Sequence, residues 1–257
     1  MPSLHNNGVD INYIDEGEGP PVVLAHGFAS SLDGNWRAPG VIDALLAAGR
    51  RVIALDCRGH GKSGKPHDPS FYGGTTMPDD VIALMDHLAV AKADLVGYSM
   101  GGFISATLLV RNPGRFRTVI LAGVGDMVLT GRGAARGQAI ADAMEAPAGA
   151  EAEDPTARGF RIFAERTGND LAALAAMQRA PRAPGYDPVK LADTALPVMV
   201  LIGEGDTLVG SADKLAAAIP GAKHVRVPGD HLTAVGQPQF RQAIVDFLAE
   251  HTPVPAA

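Results

Sequence analysis

The sequence predicts an α/β fold, a mostly parallel sheet of eight strands with helices packed over it. Three observations carry this. Short β-type runs alternate with helix-type runs along the chain. Most of the β-type runs are continuously apolar rather than alternating, as strands buried on both faces are. The length, 257 residues, suits a single α/β unit with a large core.

The elements follow in order. Asn7-Gly8 reads as a hairpin turn, followed by a strand over Val9 to Ile14. Four buried strands come next: Val22 to Leu24, Val52 to Leu55, Asp94 to Val96 and Thr118 to Leu121. Helix patterns separate them at about Val41 to Ala48, Asp79 to Ala89 and Met100 to Arg111, the last stopped by Asn112-Pro113. From Val124 to Ala195 the chain turns rich in Ala, Gly, Arg and Glu, and no strong strand is found. Ala146 to Thr156 reads as a mobile loop, and Pro181, Pro184 and Pro188 as a stiff return path. Strands resume at Pro197 to Ile202 and Ala222 to Val227. A final amphipathic helix, about Pro238 to Glu250, carries Phe240, Ile244, Phe247 and Leu248 on one face. The predicted organisation is a core of residues 1–123 and 196–257, interrupted after the sixth strand by a helical insertion of residues 124–195.

Bulk properties narrow the function. Hydrophobic residues make up 46% and charged residues 19%, an ordinary globular balance. The net charge of −6 repels phosphate backbones and anionic lipid, which argues against nucleic acid and membrane surfaces as partners. The lone cysteine, Cys57, excludes an intrachain disulfide. Met1 to Asp10 has no basic segment followed by an apolar run, so no signal peptide is expected and a cytoplasmic location is. No clustered Cys/His set has metal-ligand spacing, so neither metal nor organic cofactor is expected.

The chemistry concentrates in Gly97-Tyr98-Ser99-Met100-Gly101. This Gly-x-Ser-x-Gly follows an apolar strand and opens a helix, the context a nucleophile elbow requires. A sharp turn there lifts Ser99 above the sheet edge, and the two glycines let neighbouring chain approach. A serine hydroxyl needs a base. Of eight histidines, His231 is the best placed, in a loop after the last strand. His224 lies within that strand, His26 reads as a loop brace, and His5, His67, His87 and His251 lack supporting context. The base needs an acid, and Asp206 follows the strand over Val198 to Ile202, giving the order serine, acid, histidine. Glu204 is its rival, two residues away, and Asp230 reads as a solvated turn carboxylate. A loop at Ala25-His26-Gly27-Phe28 could aim the Phe28 backbone N–H beside that of Met100, two donors for an oxyanion. In the insertion, Met127, Phe163 and Met177 are the candidate substrate-pocket residues.

Two patterns mislead. Gly59-x-Gly61-x-x-Gly64 matches a dinucleotide fingerprint, but Lys65-Pro66-His67-Asp68-Pro69 cannot open the helix it needs. Gly61-Lys62-Ser63 resembles the end of a P-loop, but Asp56 stands where the first glycine belongs.

Together, His26-Gly27-Phe28, Asp56-x-Arg58-Gly59-His60-Gly61-x-Ser63, Gly97-x-Ser99-Met100-Gly101-Gly102, Gly205-Asp206 and His231 resemble the α/β-hydrolase superfamily. The resemblance covers most of the chain outside residues 124–195. It implies the α/β-hydrolase fold, with helices on both sheet faces and a small helical lid. In related dehalogenases and epoxide hydrolases the nucleophile is Asp, and Ser99 argues against both. Related carbon–carbon hydrolases carry a bulkier lid with polar anchors for an acidic substrate. This insertion has arginines but no clear anchor pattern. Small esterases, lactonases (enol-lactonases included) and cofactor-free perhydrolases are also similar, and Ser99-Met100-Gly101-Gly102 does not decide among them. The leading expectation is a serine hydrolase of small, largely apolar carboxylic esters. The other class is a non-catalytic small-molecule receptor on the same scaffold.

Overall fold

The computed structural model of the chain describes residues 2–131, 134–150, 152–181 and 188–254. Its sheet has eight strands: β1 (Ser3–Asn6), β2 (Val9–Glu16), β3 (Pro21–Ala25), β4 (Arg51–Leu55), β5 (Ala93–Tyr98), β6 (Phe116–Ala122), β7 (Val198–Gly203) and β8 (Lys223–Val227). They lie in the order β1-β2-β4-β3-β5-β6-β7-β8. Only the pairs β1–β2 and β2–β4 are antiparallel. The opening hairpin turns at Asn7 (φ 45°) and Gly8 (φ 76°), the left-handed pair that a tight two-residue turn demands.

Alternate strand residues feed two cores. Val22, Leu24, Val52, Ala54 and Val96 pack with Trp36, α1 (Val41–Ala47) and α10 (Pro238–His251) on one face. Val23, Ala25, Ile53, Leu55 and Leu95 pack with α2 (Thr76–His87) and α3 (Met100–Arg111) on the other. Covering both faces is why these strands read as unbroken apolar runs. The predicted stripe on the last helix, Phe240, Ile244, Phe247 and Leu248, is buried. No helix among the described residues is long and apolar enough to cross a membrane.

Between β6 and β7 run α4 (Met127–Thr130), α5 (Ala134–Glu145), α6 (Pro155–Arg166), α7 (Leu171–Arg179) and α8 (Pro188–Ala192). Asp154 and Asp170 cap α6 and α7, accepting from the N–H of Ala157 (2.7 Å) and Ala173 (3.0 Å). Arg161 of α6 donates to the Ala143 and Ala146 carbonyls at the end of α5. Thr167 and Asn169 donate to the Ala29 carbonyl, at 3.1 and 2.8 Å, and so tie the insertion to the loop after β3. Of the expected return path, Pro184 lies outside the described residues, and Pro188 opens α8 instead of extending a stiff strand.

Two of the elements that escaped the sequence reading are a short helix and a π-turn. One is α9 (Ala212–Ala217), between β7 and β8, which buries only Ala212 and Leu215, too few apolar positions for a readable period. The other is a π-turn over Asp33–Arg37, closed by the Ala38 N–H on the Asp33 carbonyl at 2.8 Å.

Candidate active site

The carboxyl ends of β3, β5, β7 and β8 converge at one edge of the sheet, where open α/β sheets bind ligands. Ser99 sits at the tip of β5, just before α3, with φ 51° and ψ −108°, a conformation strained for a residue with a Cβ. The flanking glycines are steric necessities. A Cβ on Gly97 would lie 2.0 Å from the Gly101 carbonyl oxygen and 2.3 Å from Ser105 Oγ. A Cβ on Gly101 would lie 1.9 Å from the Ala25 oxygen. Only without those side chains do the first turn of α3 and the ends of β3 and β5 close around Ser99.

His231 and Asp206 meet Ser99 from two other loops. His231 Nε2 lies 2.9 Å from Ser99 Oγ, and its Nδ1 lies 2.7 Å from Asp206 Oδ2. The two acidic-loop strands are laced together, with the Glu204 N–H on the Val227 carbonyl and the Gly205 N–H on the Gly229 carbonyl. That lacing brings Asp206 beside a histidine 25 residues later. Asp206 Oδ1 accepts the Leu208 N–H at 3.0 Å, so both carboxylate oxygens are engaged and its side chain has no exposed surface. Glu204, the rival acid, is exposed. Asp230 accepts from the N–H groups of Leu232 and Thr233 and from the Thr233 hydroxyl, which shapes the turn that carries His231. Tyr98 also holds that loop. Its hydroxyl donates to the His231 carbonyl, its ring lies against the imidazole with centroids 5.6 Å apart, and burial pushes its ionisation upward, keeping it a donor.

The loop after β3 supplies the other wall. Gly27 N–H donates to Asn35 Oδ1 at 3.0 Å, Ala29 N–H to His60 Nε2 at 3.0 Å, and Gly101 N–H to the His26 carbonyl at 3.1 Å. Among the described residues, the N–H groups of Phe28 and Met100 between them have no acceptor. The segment from Asp56 to Gly64 is a scaffold for this loop. Asp56 accepts from the Leu32 and Lys62 N–H groups and from Asn12 Nδ2, while Arg58 is buried in a two-pronged pair with Asp80, both contacts 2.7 Å. Between Gly64 and α2 there is no long helix, only a 3-10 turn at Pro69–Phe71. Burial pushes the Cys57 thiol up, which keeps it in the protonated, unreactive form.

His26 and His60 are both fully buried acceptors. His26 Nε2 takes the Cys57 N–H at 2.9 Å, and each ring's Nδ1 faces a carbonyl oxygen. Those contacts require neutral rings, and burial lowers both, His60 to about 3. Their folded values lie below the unfolded value of about 6.5, so falling pH protonates the unfolded chain first. Unfolding free energy should therefore drop as pH falls from about 6.5 to 5, above the carboxylate range, at up to about 1.4 kcal/mol per pH unit for each histidine. Urea melts of the parent and of His60→Gln test this. The variant's slope should be shallower, and a flat parent profile would refute the role given to these rings.

Two cavities flank the relay. The narrower one holds Ser99, with Phe28, Phe103, Met127, Arg136, Ile140, Phe160, Gln178, Leu208 and Val209 around it. The more open one is lined by His231, Asp230, Leu232 and Thr207 and by Thr156, Phe160 and Phe163 of α6. Phe160 and Leu208 line both and divide them. Of the expected pocket residues, Met127 faces the Ser99 cavity and Phe163 only the outer one. Met177 lines neither. It turns toward the scaffold segment, where a Cβ on Gly59 would lie 3.1 Å from its Cε, and the next residue, Gln178, reaches the cavity instead.

Comparisons with known proteins agree with this architecture. A family model described as the alpha/beta hydrolase fold matches residues 20–132. The enol-lactonase of Burkholderia xenovorans LB400 superposes with a TM-score of 0.79 and 26% identity, over 96% of this chain and 100% of that one. The chain has the α/β-hydrolase fold. Among α/β-hydrolase relatives, an epoxide hydrolase of Caballeronia sordidicola is 35% identical over 116 residues, 45% of this chain and 34% of that protein. A 2-hydroxymuconate semialdehyde hydrolase of Pseudomonas sp. (strain CF600) is 37% identical over 118 residues, 45% of this chain and 40% of that protein. The chain thus matches less than half the length of these curated relatives.

Sequence reasoning missed Tyr98, Asn35 and His60 as braces, and Phe103, Arg136, Ile140, Phe160, Gln178, Leu208 and Val209 as cavity walls. Tyr98 was within reach, since it is the variable residue directly before Ser99. The others carry no spacing signal, because their partners come from distant segments.

Proposed function

We propose that this α/β-hydrolase is a serine hydrolase that cleaves carboxylic esters through an acyl-enzyme. The reading is carried by the unbroken relay from Ser99 Oγ through His231 to Asp206 beside a cavity of mainly apolar walls. Ser99 Oγ attacks the ester carbonyl carbon, and its proton passes to His231 Nε2. The oxyanion is held by the N–H groups of Phe28 and Met100, with the positive end of α3 behind the latter. Collapse breaks the carbon–oxygen bond to the alcohol, which takes the proton from His231. Water then adds to the acyl-enzyme by the same route and releases the acid. Asp206 keeps the Nδ1–H facing itself and steadies the imidazolium.

On this reading residues 124–195 form a cap over Ser99, and Met127, Arg136, Ile140, Phe160 and Gln178 are its contribution to the acyl pocket. The alcohol departs through the outer cavity, which His231 lines. Cyclic esters form the second class to assay, because the enol-lactonase shares the fold over nearly the whole chain. Steady-state hydrolysis of chromogenic short-chain esters and of simple lactones tests the proposal. Multiple turnovers and covalent labelling of Ser99 by a fluorophosphonate are expected. A single turnover or none, with no label, would instead indicate a non-catalytic receptor on this scaffold.

A further inference from the structure

We infer that Arg136 is a carboxylate-binding residue, and that the preferred acyl group carries a terminal carboxylate. This rests on the ester-hydrolase reading and revises the largely apolar substrate that the sequence suggests. Arg136 lies on α5 and lines the cavity that holds Ser99. Its Nη1 donates to the Leu208 carbonyl at 2.9 Å and touches Met127 Sδ at 3.4 Å, and both of those residues line the same cavity. The guanidinium end, not only the aliphatic stem, is therefore at the cavity wall.

Among the described residues Arg136 has no carboxylate partner. The acids around it are committed elsewhere. Asp142 and Glu145 of its own helix both pair with Arg179. Asp126 accepts the Ser211 N–H at 3.0 Å and lies 3.4 Å from Lys214 Nζ. The Nε and Nη2 donors of Arg136 have no acceptor among these residues. That edge of the guanidinium is the fork that receives a carboxylate through two parallel hydrogen bonds. The remaining walls are mainly apolar, and a low-dielectric surround strengthens the attraction of such a cation for an anion.

The position selects the acyl side of the ester. The alcohol takes its proton from His231 and leaves by the outer cavity, which Arg136 does not line. The acyl chain then extends from Ser99 into the narrower cavity. The fitting substrates are monoesters of short dicarboxylic acids, or lactones with a carboxylate on the acyl chain. Hydrolysis adds one water and yields the dicarboxylate and an alcohol.

The test compares 4-nitrophenyl monoesters of succinate, glutarate and adipate with neutral esters in which a methyl group replaces the terminal carboxylate. The parent should favour the acidic ester at one length or more by about 10- to 100-fold in kcat/KM, the discrimination expected of a charge-assisted hydrogen-bond pair. Arg136→Met also loses the bond to Leu208, so some loss on both series is expected, but the ratio should fall to one or below. Arg136→Lys should recover part of it. Calorimetric binding of glutarate to the parent, weakened in Arg136→Met, supplies a readout that needs no turnover. A parent without preference at all three lengths, or a ratio and a glutarate affinity unchanged in Arg136→Met, overturns the inference. Failure of the underlying reading is separate: no ester of either series is hydrolysed and no fluorophosphonate labels Ser99.

Discussion

Ser99→Ala should lose roughly a ten-thousand- to million-fold in kcat, the scale at which serine triads lose rate with their nucleophile. Its stability should stay within about 1 kcal/mol of the parent, because the only side-chain hydrogen bond removed among the described residues is that to His231 Nε2. Ser99→Gly should be as inactive and more stable than Ser99→Ala by about 1–2 kcal/mol. At φ 51° and ψ −108° a Cβ is strained, and glycine relieves that strain. The pair of variants separates chemistry from folding: the backbone strain belongs to the elbow, and the hydroxyl belongs to the reaction. Rate assays with chemical melts and fluorophosphonate labelling read both. Substantial turnover by Ser99→Ala, or a label on another residue, would move the nucleophile elsewhere.

Asp206→Asn is expected to lower kcat on the order of 10,000-fold. The geometry gives the reason. One oxygen of Asp206 faces His231 Nδ1 at 2.7 Å, and the other accepts the Leu208 N–H at 3.0 Å. An amide has one acceptor for two donors. If its oxygen serves Leu208, its NH2 faces Nδ1 and drives the proton to Nε2, where it blocks acceptance from Ser99. If the oxygen serves His231, the NH2 opposes the Leu208 N–H inside a buried site, which costs about 1–3 kcal/mol. Glu204→Gln, two residues away and exposed, should change the rate little. Kinetics of the two variants on one ester decide the matter. A large effect at Glu204 with a small one at Asp206 would reassign the acid.

The legible and illegible parts of this protein divide on sequence separation. The strands of the core were readable because burial on both faces leaves a continuous apolar run, and the last helix because Phe240, Ile244, Phe247 and Leu248 repeat along one stripe. The elbow was readable because Gly97 and Gly101 must lack a Cβ within contact of Ser99, so the requirement is written in five consecutive residues. His231 and Asp206 were readable from chain order and from their places after strand ends. The insertion between β6 and β7 was legible only as a break in the pattern. Its helices pack on alanines and short side chains, such as Ala157 and Ala164 of α6, which leave little periodic signal.

What sequence alone determined was the class of fold and the strand ends at which Ser99, His231 and Asp206 come together. Each depends on local physics: which residues can turn, which can be buried, and which carry a proton. What only tertiary structure decided was the wall of the cavity. Phe160 rather than Met177 stands at the divide, and Arg136 faces Ser99's cavity without an acid beside it. Those outcomes depend on how α5, α6 and α7 rotate about their axes when they dock over the sheet edge. A rotation of one residue exchanges Met177 for Gln178, and pairing of Asp142 and Glu145 with Arg179 leaves Arg136 free to face the cavity. Contacts between segments tens of residues apart set those rotations, and no local pattern records them.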